Sequence, residues 1–362
     1  SGETWTLVGN ASIFQPPVDE SGPFGYLAEK ASTNLAIQSE AIGTWTGIGG
    51  VDGQTNSLTG ASNASLLTET NTADIQRNYR TVTATTNCTL SCYAKAGTRN
   101  FVTLSGVVGG SDFAAAAFDL SAGTAQTAQE NGTVTGQSNI ESVGGGWYRC
   151  SLSLQSSSSA ISQIKVGLSD TATPTFGGWG DYVYTGNGST AYFFGAQLET
   201  STYPTSYIPT TTTAVTRNGD LLKLADGIVD GSLGTISFEA SSGHNYSGAT
   251  AHTLLGIYTS TRMFAGAGIN QTGYYPVVGG VVIASGVSRY NTAVQSAMTY
   301  NGLDVTVYHG PVSNAGTLPA TPIPVQTNPT IGAYIGAYQP DYRFREVKIF
   351  NSELTAAEVG DL

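Results

Sequence analysis

Gly146-Trp147-Tyr148-Arg149-Cys150-Ser151-Leu152, then Thr190-Ala191-Tyr192-Phe193-Phe194-Gly195-Ala196-Gln197-Leu198-Glu199, then Ser206-Tyr207-Ile208-Pro209-Thr210 are the runs whose reading decides the fold. Side chains of a strand alternate between two faces. In the first run Tyr148, Cys150, Leu152 and Leu154 point one way, while Trp147, Arg149, Ser151 and Ser153 point the other. In the second, Tyr192, Phe194, Ala196 and Leu198 share a face, with Phe193, Gly195 and Gln197 opposite. Aromatics on both faces place this strand inside a sandwich. Pro209, which has no N–H to give, ends the pairing.

Working outward, strand-like runs recur at 79–84, 88–94, 101–108, 113–120, 147–154, 161–168 and 191–198, separated by turn clusters such as Gly144-Gly145-Gly146 and Gly186-Asn187-Gly188. Such spacing predicts a sandwich or jelly roll. Residues 201–217 hold Thr, Tyr and Pro without alternation and read as an extended linker. A second set of strands is expected at 234–239, 252–258, 276–284, 293–300, 304–309, 330–334 and 345–351. Thr355 and Glu358 then fit the N-cap and N3 positions of a capping box opening a short helix. Residues 1–30, with Phe14-Gln15-Pro16-Pro17 and Ser21-Gly22-Pro23-Phe24-Gly25, interleave breakers and aromatics; they read as an N-terminal arm lying on the first domain, or as a contact to another subunit.

The 362 residues suffice for two domains, 31–200 and 218–362. Only 11% of them are charged and 46 are Gly, and no long amphipathic helical pattern occurs, so the fold class is all-β. A net charge of -11 with 14 Lys and Arg argues against nucleic acid, although a local basic or calcium-bearing site leaves room for an anionic polysaccharide. No apolar run reaches the roughly eighteen residues of a membrane span. Ser1-Gly2-Glu3-Thr4 does not read as a signal peptide. Cys88 and Cys92 would share a strand face about 13 Å apart, too far for a disulfide, and Cys150 reads as a buried thiol, with a bridge from it to either left open. This usage fits a reducing cytoplasm.

The three opening runs, in that order, resemble the carbohydrate-binding-module-like jelly rolls of bacteriophage tail fibres and head spikes. In that family a "GWYR" strand precedes a "GAQLE" strand and a "YIPT" exit, and Ala31-Ser32-Thr33-Asn34-Leu35 with Trp45 is similar to its first strand. The likeness covers about residues 31–217. The ending Arg345-Glu346-Val347-Lys348-Ile349-Phe350-Asn351 with Leu354-Thr355-Ala356-Ala357-Glu358 resembles the close of laminin-G-like and concanavalin-like lectin sandwiches, over 218–362. Together these imply a jelly-roll β-sandwich followed by a second, concanavalin/laminin-G-like one with a short C-terminal helix. They further imply a virion protein made in the bacterial cytoplasm, exposed on the particle, assembled with other virion proteins as a homotrimer and contacting host cell-surface polysaccharide.

Catalytic signatures are absent from the sequence pattern. The three histidines, His244, His252 and His309, show no metal-ligand spacing, and Asp181, Glu199 and Glu239 each stand alone rather than as a paired acid and nucleophile. Tyr192-Phe193-Phe194-Gly195 resembles one strand of polysaccharide lyases but has no His-bearing partner strand. The expectation is a non-enzymatic protein, with a polysaccharide-degrading enzyme of dispersed active site, or a decoration protein without ligand, as alternatives. Sugars are gripped by an aromatic plate flanked by short polar groups. Trp179 between glycines, with Asp181, Tyr182, Tyr184 and Asn187, offers that combination. The other reading has Tyr182 and Tyr184 packing the sandwich and Trp179 capping an edge. In the second domain Tyr246, Tyr274 and Tyr275 lie in comparable Gly-rich segments read as loops. Both resembled families hold structural calcium, for which Asp112, Asp119 and Asp170, at strand ends, are the candidates.

Overall fold

A computed structural model describes residues 6–8, 26–109, 111–223, 233–242, 250–256, 262–268, 271–276, 283–285, 294–310, 312–317, 330–331 and 342–362. Among the described residues the protein is all-β apart from short 3-10 turns and one C-terminal helix, Ala356–Gly360. It divides into two compact units. One comprises Ser12–Ser21 and Ser32–Arg217, the other Ser1–Ala11, Gly22–Ala31 and Asn218–Leu362.

The first unit is one long antiparallel ladder that bends back on itself. Its hydrogen-bonded path runs through Arg77–Thr81, Ile161–Ser169, Phe101–Val108, Phe113–Asp119 and Gln129–Asn131. It continues through Val134–Gly144, Trp147–Ser156, Asn87–Ala96, Thr190–Glu199 and Ser62–Thr68. The two halves of the path close over a shared core: Val102, Leu104, Ala114, Ala116, Ile164 and Val166 from one side meet Leu90, Cys92, Cys150, Leu152, Phe193 and Leu198 from the other. The layers approach closely enough that a Cβ on Gly106 would lie 2.2 Å from Leu154. Burial of this apolar area is the main stabilising term, at about 25 cal/mol per Å² removed from water.

The alternation expected for the Trp147 strand holds. Cys150, Leu152 and Leu154 enter the main core, and Trp147 packs on the other face with Tyr93, Phe194 and Val143. In the Thr190–Glu199 strand the expected face changes midway. Phe193, Ala196 and Leu198 share the main core, whereas Phe194 joins Trp147 on the far side. A bulge is the cause: pairing with Asn87–Ala96 shifts between Phe194 and Gln197, and Gly195 sits at φ 63, a left-handed conformation that only glycine adopts without penalty. The run Val134–Gly144, rich in Ser, Asn, Gln and Gly, is also a strand. It forms a hairpin with Trp147–Ser156 that the composition did not announce.

Residues 201–217 are not a linker. Val215–Arg217 pairs with Ser32–Asn34, and Tyr203, Thr205, Ile208 and Thr210 are buried in the first unit. The three cysteines are free and buried, with Cys92 facing Cys150 across the ladder. Burial pushes the Cys88 and Cys92 thiols up to about 12.

In the second unit one sheet has the order Tyr26–Ala28, Tyr342–Phe350, Leu233–Ser242, Val294–Asn301, Asp304–His309, Val312–Thr317. The other runs Thr6–Val8, Leu221–Lys223, Thr330–Ile331, Thr250–Gly256, Arg262–Gly268, Gln271–Pro276, Ile283–Ser285. The N-terminal segment, read as an arm on the first domain, thus contributes strands Thr6–Val8 and Tyr26–Ala28 to the second. Of the strand expected over 276–284, Pro276 ends the described strand Gln271–Pro276 and Ile283 and Ala284 lie in Ile283–Ser285, while 277–282 lie outside the described residues. Ile236, Phe238, Met298, Tyr300 and Phe344 are buried here. The helix opens on the expected capping box: Thr355 Oγ1 accepts from the Glu358 N–H at 3.3 Å, and Glu358 Oε2 accepts from the Thr355 N–H at 2.8 Å. Among the described residues no helix is long and apolar enough to cross a membrane.

Candidate functional site

The three runs that define the fold meet at a buried polar clamp. Asn34, Gln197 and Glu199 are all fully buried, and a buried polar group is tolerable only when hydrogen-bonded. Here each is satisfied. Asn34 Nδ2 donates to the carbonyls of Ala196 and Ile208, and its Oδ1 accepts from the N–H groups of Ala36 and Leu198. Gln197 Oε1 accepts from the Ile208 N–H at 2.7 Å, while Nε2 donates to Glu199 Oε2 and the Thr205 carbonyl. Glu199 also accepts from Ser32 Oγ, the Thr205 N–H and Thr205 Oγ1. Arg149 lies 5.4 Å over the Tyr93 ring and donates to the Thr205 carbonyl. The Arg, the Gln and the Glu of the opening motifs therefore hold the exit segment 205–210 in place, and their role is structural.

Trp179 lies elsewhere in the unit, on a loop laid over the outer face of the Arg77–Thr81, Ile161–Ser169 and Phe101–Val108 strands. The register sets this face: Lys165 pairs with Tyr79 on one side and Ser105 on the other, and Gly167 with Arg77 and Thr103. The alternation that sends Ile164 and Val166 inward sends Lys165 outward, beneath the loop. Lys165 Nζ donates to the Trp179 carbonyl at 2.6 Å and to Asp181 Oδ1 at 2.7 Å. Arg77 Nε donates to the same Asp181 oxygen at 3.1 Å. The loop is closed by the Gly177 N–H donating to the Asp181 carbonyl at 2.8 Å. Gly180, at φ 64, backs so closely on Ser105 that a Cβ there would lie 2.2 Å from its Oγ.

These restraints hold Trp179 at φ 68, ψ 10, a left-handed backbone costing a bulky residue about 1–2 kcal/mol. The residue is nevertheless 48% exposed, so burial offsets little of that cost. Below the loop, Arg77, Thr103, Ser105, Lys165 and Asp181, together with the apolar Ile75, Leu168 and Phe176, line a small depression of mixed polarity. Burial pushes the Lys165 ammonium below the ordinary lysine range. Asp181 draws it back up, and the charge of Arg77 adds to the lowering.

The other expected site residues fall differently. Asp181 is the counter-ion of Arg77 and Lys165, so its carboxylate supports the loop from inside. Tyr182 stacks on Tyr184 at 5.4 Å and donates to Asp170 Oδ1 at 2.8 Å. Tyr184 is buried and donates to Glu69, which Arg99 grips through two nitrogens, so it packs the sandwich rather than facing a ligand. Asn187 belongs to that same Glu69 network. Its N–H donates to Glu69 Oε2, and its Oδ1 accepts from Ser189. In the second unit Tyr246 lies outside the described residues. Tyr274 and Tyr275 belong to the strand Gln271–Pro276, paired with Arg262–Gly268, and not to a loop.

The calcium candidates are not brought together. Asp112 accepts from the N–H and hydroxyl of Thr133, Asp119 from the N–H and hydroxyl of Ser121, and Asp170 from Tyr182. Asp112 and Asp119 flank opposite ends of the Phe113–Asp119 strand. No group of three His, Cys, Asp or Glu able to hold a metal occurs among the described residues. Arg77, Lys165 and Ser105 were missed by the sequence reading. Lys165, a lone cation inside Ile164-Lys165-Val166, was the visible signal in a chain with so few charges.

No protein-family profile matches the chain, and no curated protein matches it in sequence. Among solved structures it is similar to mouse laminin alpha1 chain domains LG4-5, at 9% identity over 94% of this chain and 93% of that one, with TM-score 0.26. It is also similar to Trypanosoma rangeli sialidase in complex with sialic acid, at 12% identity over 79% of this chain, with TM-score 0.30. The match covers 52% of the sialidase chain, about half its length. Neither is a bacteriophage protein, and likenesses this distant define no family and no activity for the chain. The sheets and their register carry the fold assignment: an all-β protein of antiparallel, sandwich-like sheets with a short C-terminal helix.

Proposed function

We propose that the protein is a non-enzymatic glycan-binding protein whose first unit grips a saccharide against Trp179. One observation carries the reading: a tryptophan held in a strained left-handed turn with nearly half of the residue's surface exposed. Strain of that kind persists where surrounding contacts enforce it and tends to cluster at ligand sites. An indole face offers a flat apolar plate for a pyranose ring, and the depression under its loop, lined in part by Arg77, Ser105 and Lys165, supplies hydrogen-bonding groups. The open surface suits binding of a chain polymer at modest affinity, raised by repetition on a multivalent particle. Placement on a phage tail fibre or head spike, as a homotrimer meeting host surface polysaccharide, rests on the sequence motifs of residues 31–217 and is part of the same proposal.

The test is binding of the full chain to a glycan array of bacterial surface polysaccharides, with release of reducing ends and unsaturated products followed in parallel. The expected result is saturable binding without turnover, reduced tenfold or more in Trp179→Ala. Turnover would replace this reading with that of a depolymerase. Undiminished binding by the variant would remove Trp179 from the site.

A further inference from the structure

We propose that the depression beneath Trp179 receives the carboxylate of an acidic sugar, so that the glycan recognised is a uronate- or sialate-type polymer. This rests on the glycan-binding reading and narrows it to a substrate class.

Charge is the first support. Two cations, Arg77 and Lys165, share the single carboxylate of Asp181, leaving one positive charge in excess. The nearby carboxylates do not balance it. Glu69 is paired with Arg99, and Asp170 is bound to the Tyr182 hydroxyl and makes its charge felt at Arg99.

Unused donors are the second, independent support. Ser105 is 2% exposed, and its Oγ has no hydrogen-bond partner, although a buried hydroxyl left unpaired costs about 1–3 kcal/mol. It lines the same depression as the two cations. Lys165 carries three N–H donors and uses two of them, on Trp179 and Asp181. Arg77 uses Nε and Nη2 on Asp181, and its Nη1 has no partner among the described residues. These three residues, on adjacent strands, line one hollow with room for a single oxygen atom, so one carboxylate oxygen enters it and the rest of the acid stays outside. A planar guanidinium beside an ammonium is suited to a carboxylate, and Asp181 already displays the geometry both accept. Trp179 then meets the ring of the sugar that bears the acid.

The protein as a whole opposes such a ligand, since its net charge is -11. A preference for acidic polymers must therefore come from a local site and cannot be general attraction. The experiment measures binding of the full chain to hyaluronate, polygalacturonate, alginate and polysialate, each alongside its carboxyl-reduced neutral counterpart, at low and at high NaCl. The expected result is that at least one acidic polymer binds tenfold or more tighter than its reduced form. That ratio should shrink as salt screens the pair, and should fall toward one in Arg77→Gln and in Ser105→Val. Thermal unfolding of each variant separates lost contacts from lost fold, and Ser105→Val keeps the test open if the arginine variant does not fold. Equal or tighter binding to the reduced polymers, or an unchanged ratio in both folded variants, overturns the carboxylate assignment and leaves the glycan reading standing. Failure to bind any member of either series overturns the carboxylate assignment, and the glycan array then decides the glycan reading by itself.

Discussion

Two polar sites in the same unit handle burial in opposite ways. At the clamp, Asn34, Gln197 and Glu199 are fully buried, and their side-chain oxygens and amide groups all meet partners in the strand or the exit segment. At the Trp179 loop a large apolar ring is exposed on a strained backbone, a buried hydroxyl is unpaired and a cation is in excess. The clamp spends sequence on holding the chain together. On the proposed reading the loop forgoes stability that ligand contacts would recover, the usual compromise between a stable scaffold and a working site. The most recognisable motif of the chain is thus its structural signature, and the functional candidate lies in a less conspicuous stretch.

The sharpest way to break this contrast is Glu199→Ala. It removes the acceptor of Ser32, Gln197 and Thr205 in a site closed to water, and each donor stranded there costs about 1–3 kcal/mol before relaxation. The net loss is expected on the order of 4 kcal/mol, seen as a drop of roughly 10 °C in unfolding temperature and as new proteolytic cleavage within 201–217. A loss below about 1 kcal/mol would mean that the clamp does not hold the exit segment. Gly195→Ala should follow, at about 1–2 kcal/mol. Its φ of 63 disfavours a side chain, and the new Cβ would press within 3.2 Å of Tyr207 and Tyr93. Glycan binding by the folded protein should survive both changes, because neither residue is among those lining the depression under the Trp179 loop.

Residues that alternate or cap locally were legible in the sequence. Cys150, Leu152 and Leu154 face the core as read, the 101–108 strand has the expected limits, and Thr355 and Glu358 cap the helix. What sequence could not show was decided by single residues or by distant pairing. One positive φ at Gly195 moved Ala196 and Leu198 onto the face of Phe193, which no count of alternate positions reveals. Residues 205–208 lack alternation because Asn34, Gln197 and Glu199 satisfy the backbone of Thr205 and Ile208 from the side, where a neighbouring strand would otherwise do so. At the candidate site Trp179 was legible from its flanking glycines. Arg77 and Ser105 were not, since only the register of three strands brings them beside Lys165.

Trp179→Gly should act in the reverse sense to the clamp variants. Glycine accepts φ 68 freely, so relief of about 1–2 kcal/mol of backbone strain is set against about 0.5–1 kcal/mol of added freedom in the unfolded chain. Stability should be unchanged or raised by at most about 1.5 kcal/mol, while glycan binding is lost. A destabilisation of 2 kcal/mol or more, on the order of a buried side chain, would show that the ring packs the sandwich and would erase the contrast.

Ser105→Ala isolates the smallest term. Removing a hydroxyl that has no partner deletes a desolvation cost while leaving the strand's backbone pairing with Ala115 and Lys165 intact. The variant should be more stable by some tenths of a kcal/mol up to about 1, read as a small rise in urea midpoint at constant slope. Saturating the protein with a bound acidic saccharide should cancel that advantage, because the wild-type hydroxyl then has an acceptor and the alanine offers none. The two midpoints converging or crossing on addition of ligand would tie the unpaired group to recognition. A gap of fixed size would show that Ser105 is a packing defect, and the loop would lose the feature that most separates it from the clamp.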